Sequence, residues 1–227
     1  MIDTVFVPRG AEAAAVGRAL ARVKSPVRIV TTGIGPHAAD LAATAALAGP
    51  TIGRALVTGF CGLLSAAFAV GDPLVYGTLV SPDGAVVTLE RALASEIAAR
   101  IAGAQSGIRA VSSPAVVTRA RDKYALGERY AAQAVDMESL PLVRRLMEAN
   151  VAVAVVRIGS DAASDDLPEL HMALDGAGGL DGFALALAML REPLAGVRLA
   201  RNGARALATL DATIGMILTQ DEPTATR

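Results

Sequence analysis

Two carboxylates, Glu138 and Asp161, stand where predicted secondary structure elements begin or end, and such boundaries are where an α/β fold exposes its chemistry. Asp161 follows Ser160 and an apolar, largely β-branched run from Val151 to Ile158, which is typical of a buried parallel strand. Open α/β sheets bind ligands at the carboxyl ends of their strands. A carboxylate in that place can serve as a general acid or a general base.

Glu138 precedes a segment in which Leu140, Val143 and Met147 recur at helical spacing. The sequence therefore predicts an amphipathic helix with Glu138 in its first turn. The helix dipole favours an acid in such a place whatever the protein does. Taken singly, each of the two carboxylates is better explained by local structure than by chemistry.

A third acid, Glu12, lies at or just inside a predicted helix from Ala11 to Val23, which follows a predicted strand at Thr4 to Val7 and a tight loop. Acids are common in first helical turns, so a structural and a chemical role are equally good explanations here. Arg9, three positions earlier, could contact an anion only if the loop bent unusually.

The segments V-D-M-E at 135–138 and R-I-G-S-D at 157–161 resemble the purine nucleoside phosphorylase and nucleosidase superfamily, above all the methylthioadenosine/S-adenosylhomocysteine nucleosidases. The resemblance implies that Glu138 grips the ribose hydroxyls and that Asp161 protonates the leaving purine. It also implies that Glu12 activates the attacking water on the opposite face of the sugar. A homodimer is implied as well, and neither a cofactor nor a metal is expected.

A Gly-rich stretch, G-F-C-G at 59–62, matches the family's turn that lines ribose and base, although Leu63 stands where a second glycine is usual. Residues 114–116 align with the part that holds the purine, where the family commonly has a stacking aromatic and this chain has none. Tyr124 and Tyr130 are candidates to supply it, but a half-buried helix tyrosine is the more ordinary interpretation. The resemblance assigns substrate contacts to Gly59, Phe60, Cys61, Gly62, Val116, Met137 and Ser160.

Phosphate recognition separates the two branches of this superfamily. The phosphorylases have an Arg where this chain has Glu12, and an Arg and a Ser around the positions aligned to Val57 and Phe60. None of these three side chains can bind phosphate, so hydrolysis is expected and phosphorolysis is the alternative.

A loose dinucleotide fingerprint, formed by Gly33, Gly35 and Ala38, is discounted. It follows the second predicted strand, and the next strand, Arg54 to Thr58, ends without the ribose-binding acid that the fingerprint requires. Pro36 at the first position of a helix explains the form of the loop better.

Composition excludes several classes of protein. The 227 residues are 53% hydrophobic and carry a formal net charge of -1, so the chain lacks the excess of positive charge that is typical of nucleic-acid-binding proteins. The single cysteine, Cys61, excludes an intrachain disulfide and a multi-cysteine metal site. Without a long uncharged apolar run or a signal peptide, a cytoplasmic protein that does not bind membranes is expected.

Strand and helix patterns alternate along the chain, which predicts a single α/β domain with a mixed central sheet flanked by helices on both faces. The domain is expected to span residues 1–220, followed by a loose tail at 221–227. Further predicted elements are strands at 27–32, 74–80, 85–88, 109–112 and 115–118, helices at 89–104, 182–190 and 194–218, and an exposed loop with His171 after Asp161.

The expected function is hydrolysis of the N-glycosidic bond of a purine nucleoside, releasing adenine from a 5′-substituted adenosine such as methylthioadenosine or S-adenosylhomocysteine. Three alternatives stay open: a phosphate-dependent phosphorylase, base removal from a larger adenosylated molecule such as an adenosylated hopanoid, and a catalytically silent nucleoside-binding protein. A chance match of short motifs in an unrelated α/β domain is the remaining explanation.

Overall fold

The structure is a computed structural model that describes residues 1–168 and 193–219. The loop with His171, the helix predicted at 182–190 and the tail at 221–227 lie outside the described residues. No helix within the described residues is both long enough and apolar enough to cross a lipid bilayer.

A mixed eight-stranded sheet forms the centre of the described fold. Its strands are β1 (Thr4–Pro8), β2 (Arg28–Thr32), β3 (Arg54–Leu63), β4 (Pro73–Val80), β5 (Val86–Thr88), β6 (Gln105–Ser112), β7 (Ala134–Asp136) and β8 (Ala152–Asp161). The strand order is β2-β1-β3-β7-β6-β4-β5, and β8 pairs with both β3 and β4. Strands β3, β8, β4, β6 and β7 are thereby linked in a closed ring of pairings. In this ring Gly62 near the end of β3 lies beside both Asp161 at the end of β8 and Val135 of β7, whereas β4 runs antiparallel to β8.

Helices cover both faces of the sheet, as the sequence predicts. They are α1 (Ala11–Val23), α2 (Pro36–Leu47), α3 (Arg91–Ala99), α4 (Ala120–Tyr130), α5 (Ser139–Glu148) and α6 (Pro193–Leu218). The apolar faces of α2 and α5 belong to one core cluster, and those of α1, α3 and α6 belong to another. Parallel strands buried on two sides explain the continuous apolar runs of β1 and β8.

Several local predictions were wrong. Strand β3 does not end at Thr58, because it continues through the glycine-rich stretch and pairs with β8 and β7 as far as Leu63. Residues 115–118 form no strand; Ser113 instead closes a turn by donating from Oγ to the Ala115 carbonyl. The helix predicted at 89–104 is confined to Arg91–Ala99.

The helix predicted after Glu138 is present, but its apolar face is rotated. Leu140 and Val143 are buried as expected, whereas Met147 is 43% exposed and its neighbour Leu146 packs into the core. The short strand β7 was not predicted. It contains the first two residues of the V-D-M-E motif, Val135 and Asp136. Three residues are too few to show a period-2 pattern.

Candidate active site

A cavity of about 370 Å³ lies at the carboxyl ends of β1, β3, β7 and β8. Its described lining combines apolar side chains with four carboxylates and one guanidinium. The lining residues are Pro8, Glu12, Ile34, Phe60, Cys61, Gly62, Ala115, Val116, Val117, Val135, Asp136, Met137, Glu138, Arg157, Ser160, Asp161, Leu167, Leu199 and Gly203. Apolar walls with a few converging polar groups are typical of a small-molecule site.

Glu12 enters the cavity from the first turn of α1. Its Oε1 accepts a hydrogen bond of 2.8 Å from the backbone N–H of Phe60, which joins the helix to β3. Burial raises the pKa of Glu12 to about 7, although the charge of Arg157 and the Phe60 N–H oppose that shift. A carboxyl with such a pKa can take up a proton at neutral pH, as a general base must.

Glu138 lies immediately before α5 and points into the same cavity. Its Oε1 accepts a hydrogen bond of 2.9 Å from the N–H of Gly35, and its Oε2 lies 3.5 Å from Arg157 Nη2. Burial raises the pKa of Glu138, and the nearby Arg157 charge counters this. The G-I-G turn after β2 therefore holds a site carboxylate in place, and needs no dinucleotide to explain it.

Arg157 lies fully buried beneath these acids on β8. Its Nε lies 3.3 Å from Asp136 Oδ2 and donates to Ser139 Oγ at 3.1 Å. Asp136 in turn accepts a hydrogen bond of 3.0 Å from the Ser139 N–H. Because a buried guanidinium must be paired, this network fixes the floor of the site and partly neutralises its acids.

Gly59 is absent from the described cavity lining, in contrast to the substrate contact assigned to it from sequence. A Cβ at this position would lie 2.6 Å from Arg157 Nη1 and 2.7 Å from Glu12 Oε1. Its φ of +132° also disfavours any residue with a side chain. The missing side chain thus leaves room for Arg157 and Glu12 to approach the strand.

Asp161 ends β8 with both carboxylate oxygens in contact with polar groups. Oδ1 lies 2.6 Å from the Ser160 hydroxyl, and Oδ2 lies 2.5 Å from Lys123 Nζ. Lys123 comes from α4 and has no exposed surface. The carboxyl proposed to protonate the purine is therefore one half of a buried ion pair.

The opposite wall consists of Ala115, Val116 and Val117, which follow β6. Phe60 is the one aromatic among the described lining residues. Tyr124 and Tyr130 do not line the cavity, and the Tyr130 hydroxyl donates instead to the Pro82 carbonyl. The Cys61 thiol contributes bulk rather than reactivity, because burial raises its pKa.

A family model described as the phosphorylase superfamily matches residues 5–191. The chain belongs to the phosphorylase superfamily. A comparison with curated proteins finds none that matches.

Solved structures share the fold of this superfamily member over nearly its whole length. The 5′-methylthioadenosine/S-adenosyl homocysteine nucleosidase of Helicobacter pylori has a TM-score of 0.69 at 16% identity, with 94% of this chain and 96% of that one covered. Futalosine hydrolase of Helicobacter pylori has a TM-score of 0.70 at 14% identity, covering 94% and 95%. The nucleosidase of Streptococcus pneumoniae has a TM-score of 0.65 at 13% identity, covering 94% and 98%.

The structure of this superfamily member brings nearly all residues assigned from sequence to one cavity. Those that line it are Glu12, Phe60, Cys61, Gly62, Val116, Met137, Glu138, Ser160 and Asp161. Asp136, Arg157 and Lys123 were missed. Arg157 stands inside the R-I-G-S-D motif and could have been found there, and Asp136 stands inside V-D-M-E.

Val57 and Arg9 were also considered as places where a phosphate could be bound, and neither provides a positive charge to the described cavity lining. Val57 is fully buried in the core, and Arg9 is exposed and does not line the cavity. The guanidinium of Arg157 does reach the cavity, but Asp136 and Glu138 already pair with it. An entering phosphate would therefore meet an acidic site.

Proposed function

We propose that this protein is a nucleosidase that hydrolyses the N-glycosidic bond of a 5′-substituted adenosine and releases adenine. The observation that carries the proposal is the convergence of Glu12, Glu138 and Asp161 on one apolar cavity at the strand ends. Membership of the phosphorylase superfamily supports the same class of reaction. No cofactor is needed for it.

The three acids take three different parts in the proposed reaction. Cleavage of the C1′–N9 bond makes the ribose oxocarbenium-like and sends the bonding electrons to the purine. Asp161 passes a proton to the departing base, and Glu138 accepts hydrogen bonds from the ribose hydroxyls. Glu12 takes a proton from the water that adds to C1′, for which its pKa of about 7 is well matched.

Hydrolysis is favoured over phosphorolysis by the surroundings of Glu12. Its carboxylate stands where a phosphorylase needs a cation, and the Phe60 N–H that could have held phosphate already donates to it. A phosphate dianion beside Glu12 and Glu138 would be repelled by both. Water, being neutral, meets no such barrier.

An apolar 5′ group suits the described wall that extends from Ile34 and Met137 to Leu167 and Leu199. Two of the similar solved structures are named as nucleosidases of methylthioadenosine and S-adenosylhomocysteine. These two compounds are therefore the first candidate substrates. Futalosine is a third candidate substrate, because one of the similar solved structures is named a futalosine hydrolase. An adenosylated hopanoid remains a larger apolar alternative.

A homodimer is part of the proposal. The exposed apolar side chains Leu41 on α2 and Met147 on α5 support it, because these two helices pack side by side on one face. Sedimentation velocity of the purified protein at micromolar concentration tests this part separately.

The deciding experiment follows base release by chromatography from methylthioadenosine, S-adenosylhomocysteine, futalosine, adenosine and inosine. We expect purine release from at least one 5′-substituted nucleoside and little from inosine. A protein that binds these nucleosides in calorimetry but releases no base from any of them would be a binding protein instead. The Glu12→Gln variant serves as the inactive control.

A further inference from the structure

Lys123 is a buried cation that the reaction described above does not use. Its side chain has no exposed surface, and Nζ lies 2.5 Å from Asp161 Oδ2. The same ammonium donates to the carbonyl oxygens of Ala162 at 3.0 Å and Asp165 at 2.9 Å. All three of its protons therefore have acceptors.

The contact with Lys123 affects the ability of Asp161 to act as a proton donor by itself. The Asp161 carboxyl faces an ammonium on one oxygen and a serine hydroxyl on the other, so both of its oxygens already accept hydrogen bonds. Yet the proposed function requires a proton to leave from this place. Of the two donors that contact Asp161, the Ser160 hydroxyl and the Lys123 ammonium, the ammonium is the one that can give up a proton without becoming an anion.

We propose that Lys123 and Asp161 act together as one proton donor, with Lys123 as the positioning residue that supplies the proton Asp161 hands to the purine. This inference rests on the proposed function. The resting pair contains one cation and one anion, so a neutral base entering the cavity meets no net charge from it.

The step balances without any other reactant. As the C1′–N9 bond breaks, its electron pair moves to the purine. The Nζ–H bond of Lys123 breaks, its proton moves to the Asp161 carboxylate, and Asp161 passes a proton to a purine nitrogen, which leaves Lys123 as a neutral amine. The water oxygen adds to C1′ and one water proton moves to the Glu12 carboxylate. Once adenine leaves, Glu12 releases its proton to solvent and one proton returns through Asp161 to Lys123, which has no exposed surface of its own.

A purely structural explanation makes a different prediction. The contacts with Ala162 and Asp165 tie the turn after β8 to α4, and losing them would loosen the whole site. Every substrate would then suffer alike, whatever its leaving group. A proton-supplying role harms only those substrates whose leaving group needs a proton.

The test combines a leaving-group comparison with a double-mutant cycle. Lys123→Met, Asp161→Asn and the double variant are assayed on methylthioadenosine and on 4-nitrophenyl riboside, whose phenolate leaves unprotonated. We expect Lys123→Met to lower kcat on the nucleoside by roughly 10²–10⁴-fold with KM little changed, and to keep nitrophenyl riboside cleavage within about fivefold. In the Asp161→Asn background the lysine substitution should cost less than about threefold, because the two residues act as a unit.

Lys123→Arg keeps the proposal testable if the methionine variant does not fold. Arginine retains the positive charge and the donors, but it holds its proton too tightly to give it up. We expect this variant to fold, to cleave nitrophenyl riboside and to lose nucleoside cleavage. Full nucleoside activity in Lys123→Arg would overturn the proposal, as would equal losses on both substrates or additive losses in the cycle.

Failure of the proposed function looks different from failure of this inference. A wild-type protein that cleaves none of these compounds rejects both. An active wild type whose Lys123 variants retain full activity rejects the inference alone. If the wild type cleaves nucleosides but not the nitrophenyl riboside, Lys123→Arg and the double-mutant cycle decide.

Discussion

Glu12 Oε1 lies 2.8 Å from the backbone nitrogen of Phe60, so the first helix and the third strand meet at the proposed position of the attacking water. The hydrogen bond orients the carboxylate without neutralising it. Burial nevertheless raises the pKa of Glu12 to about 7, which makes the protonation state of the site depend on pH in the neutral range.

This dependence should appear in the pH profile of the reaction. Because Glu12 must be ionised to take a proton from water, kcat/KM should rise with pH and level off above a midpoint near 7. Glu12→Gln should lower kcat by roughly 10²–10⁴-fold and abolish that rise. Steady-state rates between pH 5 and 9 measure both effects. Glu148→Gln, at an exposed position on α5, is the matched control and should leave the profile unchanged.

The same carboxyl should cost the protein stability at high pH. A pKa raised from 4.5 to about 7 means that the folded state binds this proton more tightly than the unfolded state does. The resulting stabilisation is complete below pH 4.5 and is lost as pH rises through 7. Glu12→Gln should therefore be about 1–2 kcal/mol more stable than wild type at pH 8 and equally stable at pH 4.5. Urea unfolding at the two pH values makes the comparison; a variant that is less stable at pH 8 would contradict it.

Gly59→Ala should damage both stability and activity. Its Cβ would lie 2.6 Å from Arg157 Nη1, and the backbone at φ +132° resists a side chain, so a loss of about 2–4 kcal/mol is expected. Gly84→Ala is the matched control, because its φ is +88° but no atom lies within 4 Å of the added Cβ. Equal destabilisation of the two variants by thermal unfolding would show that backbone strain alone, and not the clash with Arg157, is responsible.

Glu138→Gln should impair recognition of the sugar. A carboxylate that accepts from ribose hydroxyls gives stronger hydrogen bonds than an amide, so kcat/KM should fall by roughly 10–100-fold on the ribonucleoside. The 2′-deoxy analogue lacks one of these hydroxyls and should lose less. Rates for the two substrates with wild type and variant check this, and an equal loss on both would remove the ribose role of Glu138.

The sequence predicted the fold and most of the cavity for a local reason. V-D-M-E and R-I-G-S-D place their acids directly at element boundaries, where neighbouring strands end together. Glu138 and Asp161 could therefore be located without knowledge of any long-range contact. Glu12, the second residue of the first helix, was assigned its role by the family resemblance, because its position alone supported a structural explanation equally well.

The partners of these acids could not be predicted in this way. Lys123 lies 38 positions before Asp161, and nothing within its own helix distinguishes it from a solvent-exposed lysine. Its buried position follows from the way α4 packs against the turn after β8. The close approach of Arg157 to Gly59 could not be predicted either, because a glycine near a ligand and a glycine beneath a side chain look alike in sequence. Only the three-dimensional contacts with Arg157 separate the two.

Product analysis with and without phosphate tests the central claim most directly. Methylthioadenosine, or whichever nucleoside the substrate panel identifies, is incubated with wild-type protein in phosphate-free buffer and in excess phosphate, and the sugar product is identified by mass spectrometry. The structure predicts adenine and the free sugar at the same rate in both buffers, with no sugar 1-phosphate. Adenine release that requires phosphate and yields the 1-phosphate would contradict the hydrolytic role of Glu12.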